Sequence, residues 1–502
     1  MIPFGPYLPD QADYQNPGAK QANNVLPRTA DSYGPLSSLS AVSDALTNRP
    51  QGAEAFRDSD GDVHTFCGDA SDLFKLNGTA WDEISKSTGA YTVNSEDAVE
   101  FTQFGQHIIA AMGLTDQPQV YTLDVSSNFA DLGGTPPRFR HVTVIEPGFV
   151  FGGNTWDATD GAVPNRVWWS AIDNHADWPT IGSSDAAAKQ SDRQDLPIGG
   201  AVQHVTGAIG GLPGAIWMEK AIYRIQYQGP PTVFGFYEVE RDRGTPAPNS
   251  VVNIGPAGFY LGEEGFYRFD GSGSVPIGDQ KVDKTILNEL SQDNYHRVYG
   301  MSDPINKMIF WAYPGTGHSG GRPNKLAVYN WSVDRWTTAD VEAELIFRDM
   351  SAGVTLDGLD AYGTLDTLPA SLDSRVWTGG RIVLSAFDSD KKLARFTGDN
   401  LAATLETKED ALLDGNARAL VNGVMPFTDA PAADTTVSLS YREGNSPGSS
   451  LTVTSANAID VDGFAHFTTS TRFASAVVNI GAGASWSHAQ GVNYDATPDG
   501  SQ

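Results

Sequence analysis

The sequence predicts an all-β protein, most of which forms a β-propeller of six or seven blades. The chain of 502 residues is rich in turn-forming residues, with 53 glycines and 29 prolines, and only 19% of its residues are charged. Hydrophobic residues make up 40% of the chain, which is enough for large buried cores. Short strands joined by tight turns recur along most of the chain, and this pattern is the third observation behind the predicted class.

The strands repeat in groups of four. The first group runs from Ala53 to Ile84 and contains Asn77-Gly78, a strong hairpin signal. The inner hairpins of successive groups begin near Leu73, Val120, Val167, Ile222, Phe266, Leu326 and Leu393, at spacings of 44 to 67 residues. A repeat of about 40–50 residues with four strands is typical of propellers, in which neighbouring blades cover each other's faces. Unrelated β-sandwiches are the alternative, and the near-regular spacing favours the propeller.

The clearest hairpin lies at Asn324–Asp340, where a strand of alternating character turns back into a strand anchored by Trp336. We expect its aromatic side chains to pack between blades. One short helix is predicted in KVDKTILNEL, because Val282, Ile286 and Leu290 fall on one helical face. Weaker strand signals follow at 350–356, 360–365, 381–387 and 393–398.

The composition divides the chain into three parts, at residues 1–50, 51–405 and 406–502. Residues 1–50 are irregular and proline-rich, and we expect an extended N-terminal arm laid on a neighbour rather than a disordered tail. Its apolar anchors are Phe4, Tyr7, Tyr14, Val25, Leu26, Tyr33 and Leu36. Residues 51–405 are the predicted propeller. After a linker-like stretch, the last part has five or six short strands, which predict a C-terminal β-sandwich-like domain.

The charge and the single cysteine exclude several classes of function. The net charge of −28 argues against a nucleic-acid-binding surface, because affinity for phosphates comes from clustered lysine and arginine. Cys67 is the only cysteine, so an intrachain disulfide and a cysteine-based zinc site are excluded. The sequence has neither a membrane-spanning apolar run nor the pattern of a signal peptide, so we expect synthesis in a cytoplasm.

The segment Asp58–Asp62 holds three carboxylates, which could bind calcium. A plain hairpin turn is the favoured interpretation, since Asp and Gly dominate turns and the pattern of a calcium-binding EF-hand loop is not completed. Paired carboxylates for glycan cleavage are always available among 61 acidic residues, so they carry little information.

Other candidates are weaker still. Five histidines lie within strand patterns, and we interpret them as core or surface residues rather than ligands: His64, His107, His141, His204 and His466. The loop Arg241–Pro246 could bind an acidic partner, but a solvated or locally paired loop is favoured. Five tryptophans could form sugar platforms, although packing is the commoner role on regular strands: Trp168, Trp169, Trp311, Trp331 and Trp336. We therefore predict no catalytic, cofactor-binding or metal-binding residues.

An ordered set of short stretches resembles the nozzle, or tail-hub, proteins of short-tailed bacteriophages, which have also been given a DNA stabilisation role. No single motif carries the resemblance, and the stretches cover most of the chain. They are Ala22–Pro27, Ser32–Leu36, Gly52–Ala53, Leu73–Leu76 with Trp81, Phe101–Gly105, Arg166–Ser170 with Trp178, Gly244–Val252, Gly258–Gly262, Gly265–Tyr267, Ala327–Trp331 with Arg335–Thr337, Gly483–Ser487 and Gly491–Val492.

The resemblance implies a structural virion protein that is not an enzyme and needs no cofactor. A homo-oligomeric ring, most simply a hexamer, would extend the portal–adaptor channel of the phage tail, retain packaged DNA and let it leave during ejection. Portal or adaptor proteins and tail fibres or spikes would be its partners. Genomic DNA would pass without sequence-specific binding, along a lumen that we expect to be acidic because of the net charge of −28. The alternative is a carbohydrate-active propeller that cleaves or binds glycans.

Overall fold

The computed structural model describes residues 1–13, 16–351, 379–413, 417–444 and 449–499. Strands dominate these residues, which confirms the all-β class. The α-helices are short, at Ser184–Lys189 (α1) and Asp283–Glu289 (α2). Helix α2 is the predicted one, and its flanking Val282 and Leu290 are buried with Ile286. None of the described helices has the length and apolar character needed to cross a membrane.

The first five strands belong to the segment predicted as an arm. They are Ile2–Pro3 (β1), Gln21–Asn23 (β2), Val25–Thr29 (β3), Ser32–Pro35 (β4) and Ser40–Ala45 (β5). All five pair with strands of their own chain, so the segment is not an arm laid on a neighbour. Tyr14, one of its predicted anchors, lies outside the described residues, as do 360–365 and most of the strand signal at 350–356.

Residues 52–241 form four antiparallel units of four strands each, here the first to fourth units. The strands of the first unit are Gly52–Arg57 (β6), Val63–Gly68 (β7), Leu73–Asn77 (β8) and Ala80–Glu83 (β9). Those of the second are Glu100–Phe104 (β10), His107–Ala111 (β11), Gln119–Thr122 (β12) and Ala130–Asp131 (β13). Those of the third are Arg138–Ile145 (β14), Phe149–Asp157 (β15), Gly161–Trp169 (β16) and Asp192–Asp195 (β17). Those of the fourth are Val202–Ile209 (β18), Leu212–Met218 (β19), Ala221–Gly229 (β20) and Val233–Arg241 (β21).

Three more units follow. The fifth consists of Val252–Asn253 (β22), Gly258–Leu261 (β23), Phe266–Phe269 (β24) and Ser274–Pro276 (β25). The sixth consists of Tyr299–Asp303 (β26), Met308–Tyr313 (β27), Lys325–Asn330 (β28) and Arg335–Asp340 (β29). The seventh contains Ala343–Met350 (β30), Ile382–Asp388 (β31) and Lys392–Arg395 (β32). Its fourth strand is β5, which pairs with the outer edge of β32. The predicted hairpin at Asn324–Asp340 is β28 and β29.

The first strands of the units contact one another in a closed ring. Strand β6 touches β10, β10 touches β14, and β14 touches β18. A 3-10 turn at Pro248–Ser250 links β18 to β26, which also contacts β22. Strand β26 then touches β30, and β30 returns to β6. The four-stranded sheets therefore radiate from one axis, as the sheets of a β-propeller do, and the chain closes the ring with strands from its two ends.

The outermost strand of the seventh unit, β5, is held by a serine. The Ser43 hydroxyl accepts hydrogen bonds from the backbone N–H of Leu393, at 2.9 Å, and from the Trp81 indole, at 3.1 Å. It donates in turn to the Asp44 carbonyl. Because Trp81 belongs to the first unit and Leu393 to the seventh, this one side chain joins the first and last units of the ring.

The remaining strands build a region in which two sheets face each other. They are Ala403–Glu406 (β33), Asp410–Ala411 (β34), Ala419–Thr428 (β35), Thr435–Arg442 (β36), Thr452–Val453 (β37), Asn457–Ala458 (β38), Ala465–Thr471 (β39), Phe473–Ile480 (β40) and Ala489–Pro498 (β41). One sheet has the order β3-β4-β41-β35-β39, with β1 also paired to β41. The other continues from the sixth unit in the order β29-β2-β33-β40-β36-β37.

The sixth unit and this sandwich therefore share one sheet of eleven strands. Strand β2 is the connecting strand, parallel to β29 at Asn23 and antiparallel to β33. The sandwich takes β1 to β4 from the N-terminus and β33 from before residue 406. The predicted boundaries at 50 and 406 thus cut through paired strands, because the sequence alone does not reveal pairing between the two ends of the chain.

Large aromatic side chains fill the core at this junction. Trp311 and Trp336 are fully buried and stack at 5.7 Å, with Phe266 within 5.0 Å of both rings. Their indole N–H groups donate to the carbonyls of Ser250 and Ile277. The same apolar cluster continues through the N-terminal strands into the sandwich. The expectation that the hairpin aromatics serve packing is confirmed for Tyr329 and Trp336, both buried.

We predict that deleting residues 1–50 abolishes cooperative folding. The deletion removes β5 and β2, which leaves the edges of β32, β29 and β33 unpaired. Thermal unfolding followed by circular dichroism, with size-exclusion chromatography, measures the effect. Deletion of residues 500–502, which follow the last strand, is the control and should leave unfolding unchanged. A truncated chain of normal stability would instead support the peripheral arm that the sequence suggested.

We predict that Asn24→Ala destabilises the junction by about 2–4 kcal/mol. Asn24 has φ 58°, its side chain accepts from Asp340 N–H at 2.8 Å, and it donates to the Ala402 carbonyl at 2.8 Å. Alanine loses both hydrogen bonds and is strained at this φ. Asn24→Gly loses the hydrogen bonds but tolerates the backbone, so it should cost less. Denaturant unfolding of both variants tests this order, which the reverse ranking would refute.

Candidate functional site in the central channel

The first strands of the seven units surround a channel of about 520 Å³. This volume lies in the range of about 300–1,000 Å³ that is typical of small-molecule sites, and it is far too small for a DNA duplex. Strand residues of alternate positions face the channel, so each unit contributes only a few side chains. The wall is largely uncharged, and its ionisable members are Glu54, Glu100, His204, Tyr299 and Arg348.

Glu100 meets two histidines where three neighbouring units converge. Its Oε1 lies 2.6 Å from Nδ1 of His141 and 3.6 Å from Nδ1 of His204. The shorter contact is a hydrogen bond, while the longer one exceeds hydrogen-bonding distance. Oε2 accepts the backbone N–H of Val142 at 3.1 Å, which fixes the carboxylate plane. We call Glu100, His141 and His204 the channel triad.

The channel triad is mostly removed from water. The exposed fractions of the side chains are 12% for Glu100, 8% for His141 and 22% for His204. Burial alone would raise the pKa of Glu100, but the charge and hydrogen bond of His141, together with the charge of His204, outweigh it, so the pKa of Glu100 lies well below the usual range. The carboxylate is therefore ionised and able to act as a ligand or as a hydrogen-bond acceptor.

A second cavity of about 240 Å³ adjoins the triad, at the end of the channel where the first strands begin. His141, Arg140, Asp97 and His296 contribute to its wall. Arg140 Nε lies 3.0 Å from Asp97 Oδ1, which joins the third unit to the loop before the second. Burial lowers the pKa of His296, which favours its neutral form. This end of the channel thus carries one ion pair, between Arg140 and Asp97, in its wall.

Glu54 lies deeper in the channel, on β6. Burial raises its pKa to about 7, against the opposing effect of the Arg348 guanidinium, and the nearby Asp349 adds to the rise. Asp349 itself is fully buried and accepts hydrogen bonds from Thr65, Ser385 and Arg395. The carboxylate of Asp349 is thus satisfied by its neighbours, while Glu54 changes its protonation near neutral pH.

We predict that Glu54 makes the protein less stable as the pH rises from about 4.5 to 7. Below this window the carboxyl is protonated in both states, and within it the unfolded chain loses the proton while the folded chain keeps it. Relative to wild type, Glu54→Gln should therefore gain about 1–3 kcal/mol across the window. Denaturant unfolding at several pH values measures the difference. Glu443→Gln, at an exposed site, is the control, and equal pH profiles for wild type and Glu54→Gln would contradict the prediction.

The loop at Asp58–Asp62 is built as a turn. Oδ1 of Asp58 accepts the backbone N–H groups of Asp60 and Asp62, at 2.9 and 2.8 Å, while Oδ2 accepts from His64 at 2.9 Å. The hydrogen bond from His64 is the main reason that the pKa of Asp58 is lowered. Asp124 approaches His64 at 3.9 Å from the second unit. Asp58 thus closes the turn, in agreement with the favoured interpretation of this segment.

The charged loop at Arg241–Pro246 is paired locally. Arg241 Nε donates to Glu238 at 2.6 Å, and Arg243 lies 3.4 Å from Glu240 and over the Tyr267 ring. Trp311 and Trp336 are buried and cannot present a sugar platform from these positions. Trp168 and Trp331 are partly exposed, and Trp168 lies beneath the Arg193 guanidinium.

The channel triad is the feature that the sequence analysis missed. His141 and His204 were interpreted as separate core or surface residues, and Glu100 was not singled out. All five histidines do lie on strands, as expected. His141 and His204 stand at or near the start of a first strand, as Glu100 does. Their shared position in successive repeats was the signal available in the sequence. It predicts that the three side chains meet only if the repeats are known to close into a ring.

No family model matches the chain, and no curated protein matches it. Solved structures do resemble it, at low identity. The Pan2 WD40 domain of Neurospora crassa has a TM-score of 0.36 and 9% identity, over 72% of this chain and 88% of that one. A PQQ-bound aldose sugar dehydrogenase of Streptomyces coelicolor has a TM-score of 0.30 and 10% identity, over 59% and 99%. AztD of Citrobacter koseri has a TM-score of 0.31 and 11% identity, over 62% and 97%. The functions of these proteins differ, and similarity at this level assigns none of them to this chain.

Proposed function

We propose that this protein is a structural subunit of the tail of a short-tailed bacteriophage, a nozzle subunit whose body is a seven-bladed β-propeller. In this proposal the seven four-stranded units are the blades. The proposal rests on the positions in the fold of the stretches that resemble nozzle proteins. Several of them are far apart in the sequence and lie together at the junction of propeller and sandwich.

Three of these stretches contribute strands to the junction. Ala22–Pro27 supplies most of β2 and the start of β3, and Gly491–Val492 pairs with β1. Ala327–Trp331 and Arg335–Thr337 supply parts of β28 and β29 in the sixth unit. Buried residues from all three belong to one apolar cluster. The resemblance is therefore to residues that hold two parts of the body together, which supports a likeness in architecture rather than in isolated motifs.

The loop Gly483–Ser487 completes this junction. Gly483 N–H donates to the Asn400 carbonyl at 2.8 Å, and the Asn400 amide donates to Ala484 at 2.9 Å. Trp486 is buried beside it. A sheet that is continuous from propeller to sandwich resists bending better than a flexible linker would, because each hydrogen-bonded strand transmits load to the next. A rigid body with two parts suits a subunit that must keep its place in a ring while DNA passes.

The DNA path in this proposal lies between subunits, not through one of them. The channel within one chain has the volume of a small-molecule site, so a duplex would need an axis surrounded by several copies. A homo-oligomeric ring, most simply a hexamer, would provide that axis below the portal or adaptor, and fibres or spikes would dock on its outside. The net charge of −28 favours an acidic lumen along which DNA slides without binding. The subunit would be made in the host cytoplasm and function in the virion.

We predict that the protein is a component of phage particles, present in a ring below the portal. Mass spectrometry of purified particles and electron microscopy of the chain mixed with its portal–adaptor complex measure this. The complex is needed because a tail subunit can stay monomeric until its platform exists. Glu54→Gln alters only the channel within one chain and should assemble normally, as a matched control.

Two results would overturn the proposal. One is a protein that is absent from particles and does not bind the portal–adaptor complex. The other is release of reducing ends from a host polysaccharide by the isolated chain, which would identify a glycan-cleaving propeller instead.

A further inference from the structure

We propose that Glu100, His141 and His204 form a binding site for a divalent transition metal ion, with Zn²⁺ as the ion that best suits the donors. Two imidazoles and one carboxylate are a common protein ligand set for zinc. The three ligand atoms lie within 4.8 Å of one another. This site is independent of any role in tail assembly.

One of the two histidine contacts to Glu100 already has the spacing of a metal site. Ligand atoms about 2.0–2.2 Å from a tetrahedral zinc ion are about 3.3–3.6 Å apart. The His204 Nδ1 to Glu100 Oε1 distance of 3.6 Å is already in this range. The His141 Nδ1 to Glu100 Oε1 distance of 2.6 Å would have to lengthen by about 0.7–1 Å when the metal binds.

His204 supplies the observation that points to a ligand. Its Nδ1 is buried, and it has no hydrogen-bond partner within the part of the chain that the structure describes. A buried polar atom without a partner costs about 1–3 kcal/mol, so such atoms are uncommon without a compensating contact. A metal ion placed between His204, His141 and Glu100 would satisfy this nitrogen.

The surroundings hold the ligands in place. Glu100, His141 and His204 come from the first strands of the second, third and fourth units. The N–H of Gly207 donates to Thr143 Oγ1 at 3.1 Å, which ties the third and fourth units together next to the site. Val142 N–H holds the second oxygen of Glu100. Such outer contacts orient ligands before the metal arrives, and the fourth position would be open to water or a small anion from the channel.

The group Asp58, His64 and Asp124 provides an internal comparison. It also brings one histidine and two carboxylates together. Both oxygens of Asp58 accept hydrogen bonds, as those of Glu100 do, but Asp124 is half exposed and lies 3.9 Å from His64. Within the described parts of the chain, no buried histidine nitrogen of this group lacks a hydrogen-bond partner. We therefore expect the channel triad, and not this second group, to bind the metal.

The test uses the full chain without a histidine tag, stripped by a chelator and titrated with Zn²⁺ by calorimetry and with Co²⁺ by visible absorption. We expect one ion per chain and a cobalt spectrum of tetrahedral type. His204→Ala and Glu100→Gln should weaken binding by more than about tenfold, while His64→Ala should bind as wild type does. Zn²⁺ should also raise the unfolding temperature of wild type and His64→Ala, but not that of His204→Ala.

The variants also separate binding from folding. His204→Asn keeps a polar side chain in place, so its metal-free unfolding temperature should match wild type even though metal binding is lost. Absence of binding by the folded wild-type chain would overturn the proposal. Binding that survives in both His204 variants, or that is lost in His64→Ala, would also overturn it.

Discussion

The pairing of the N-terminal strands with the last third of the chain is the constraint on which the rest of the structure depends. Strand β5 completes the seventh unit, and β2 joins the sixth unit to the sandwich. Without them the edges of β32, β29 and β33 would be open, and the seventh unit would lack its fourth strand. Part of this closure depends on a single side chain, because the Ser43 hydroxyl contacts both the first and the seventh units.

The closed ring also determines what chemistry the protein can present. Because seven first strands converge on one axis, side chains from distant repeats come within bonding distance there. Glu100, His141 and His204 illustrate this convergence, since more than forty residues separate each from the next and they meet in one corner of the channel. Elsewhere, the carboxylates of Asp58 and Asp349 already accept hydrogen bonds, from a turn in the first case and from a buried network in the second. The channel triad differs because Nδ1 of His204 has no such partner among the described residues.

Local patterns in the sequence were sufficient for the hairpins. Asn77-Gly78 and the strands around Trp336 form turns and pairs as predicted, since each depends on neighbouring residues. The pattern failed where pairing is distant. The outer strand of the third unit is β17, which lies beyond a loop and α1 and was not predicted, while Trp178 packs on Phe139. Strand β30 was not predicted, and β5 was assigned to the N-terminal arm. Neighbouring residues in the sequence do not reveal which distant strand a short strand will pair with.

The closure by β5 has a consequence for the order of events during synthesis. The ribosome makes Ser43 early, but 350 residues separate it from Leu393, its partner in the finished ring. At about 5–20 residues per second, the nascent N-terminal strands wait for roughly 20–70 s before their partners exist. During that interval they are exposed edges, open to pairing with other chains or to binding by chaperones. A ring closed by its own first strands therefore cannot be completed before β32 has been made.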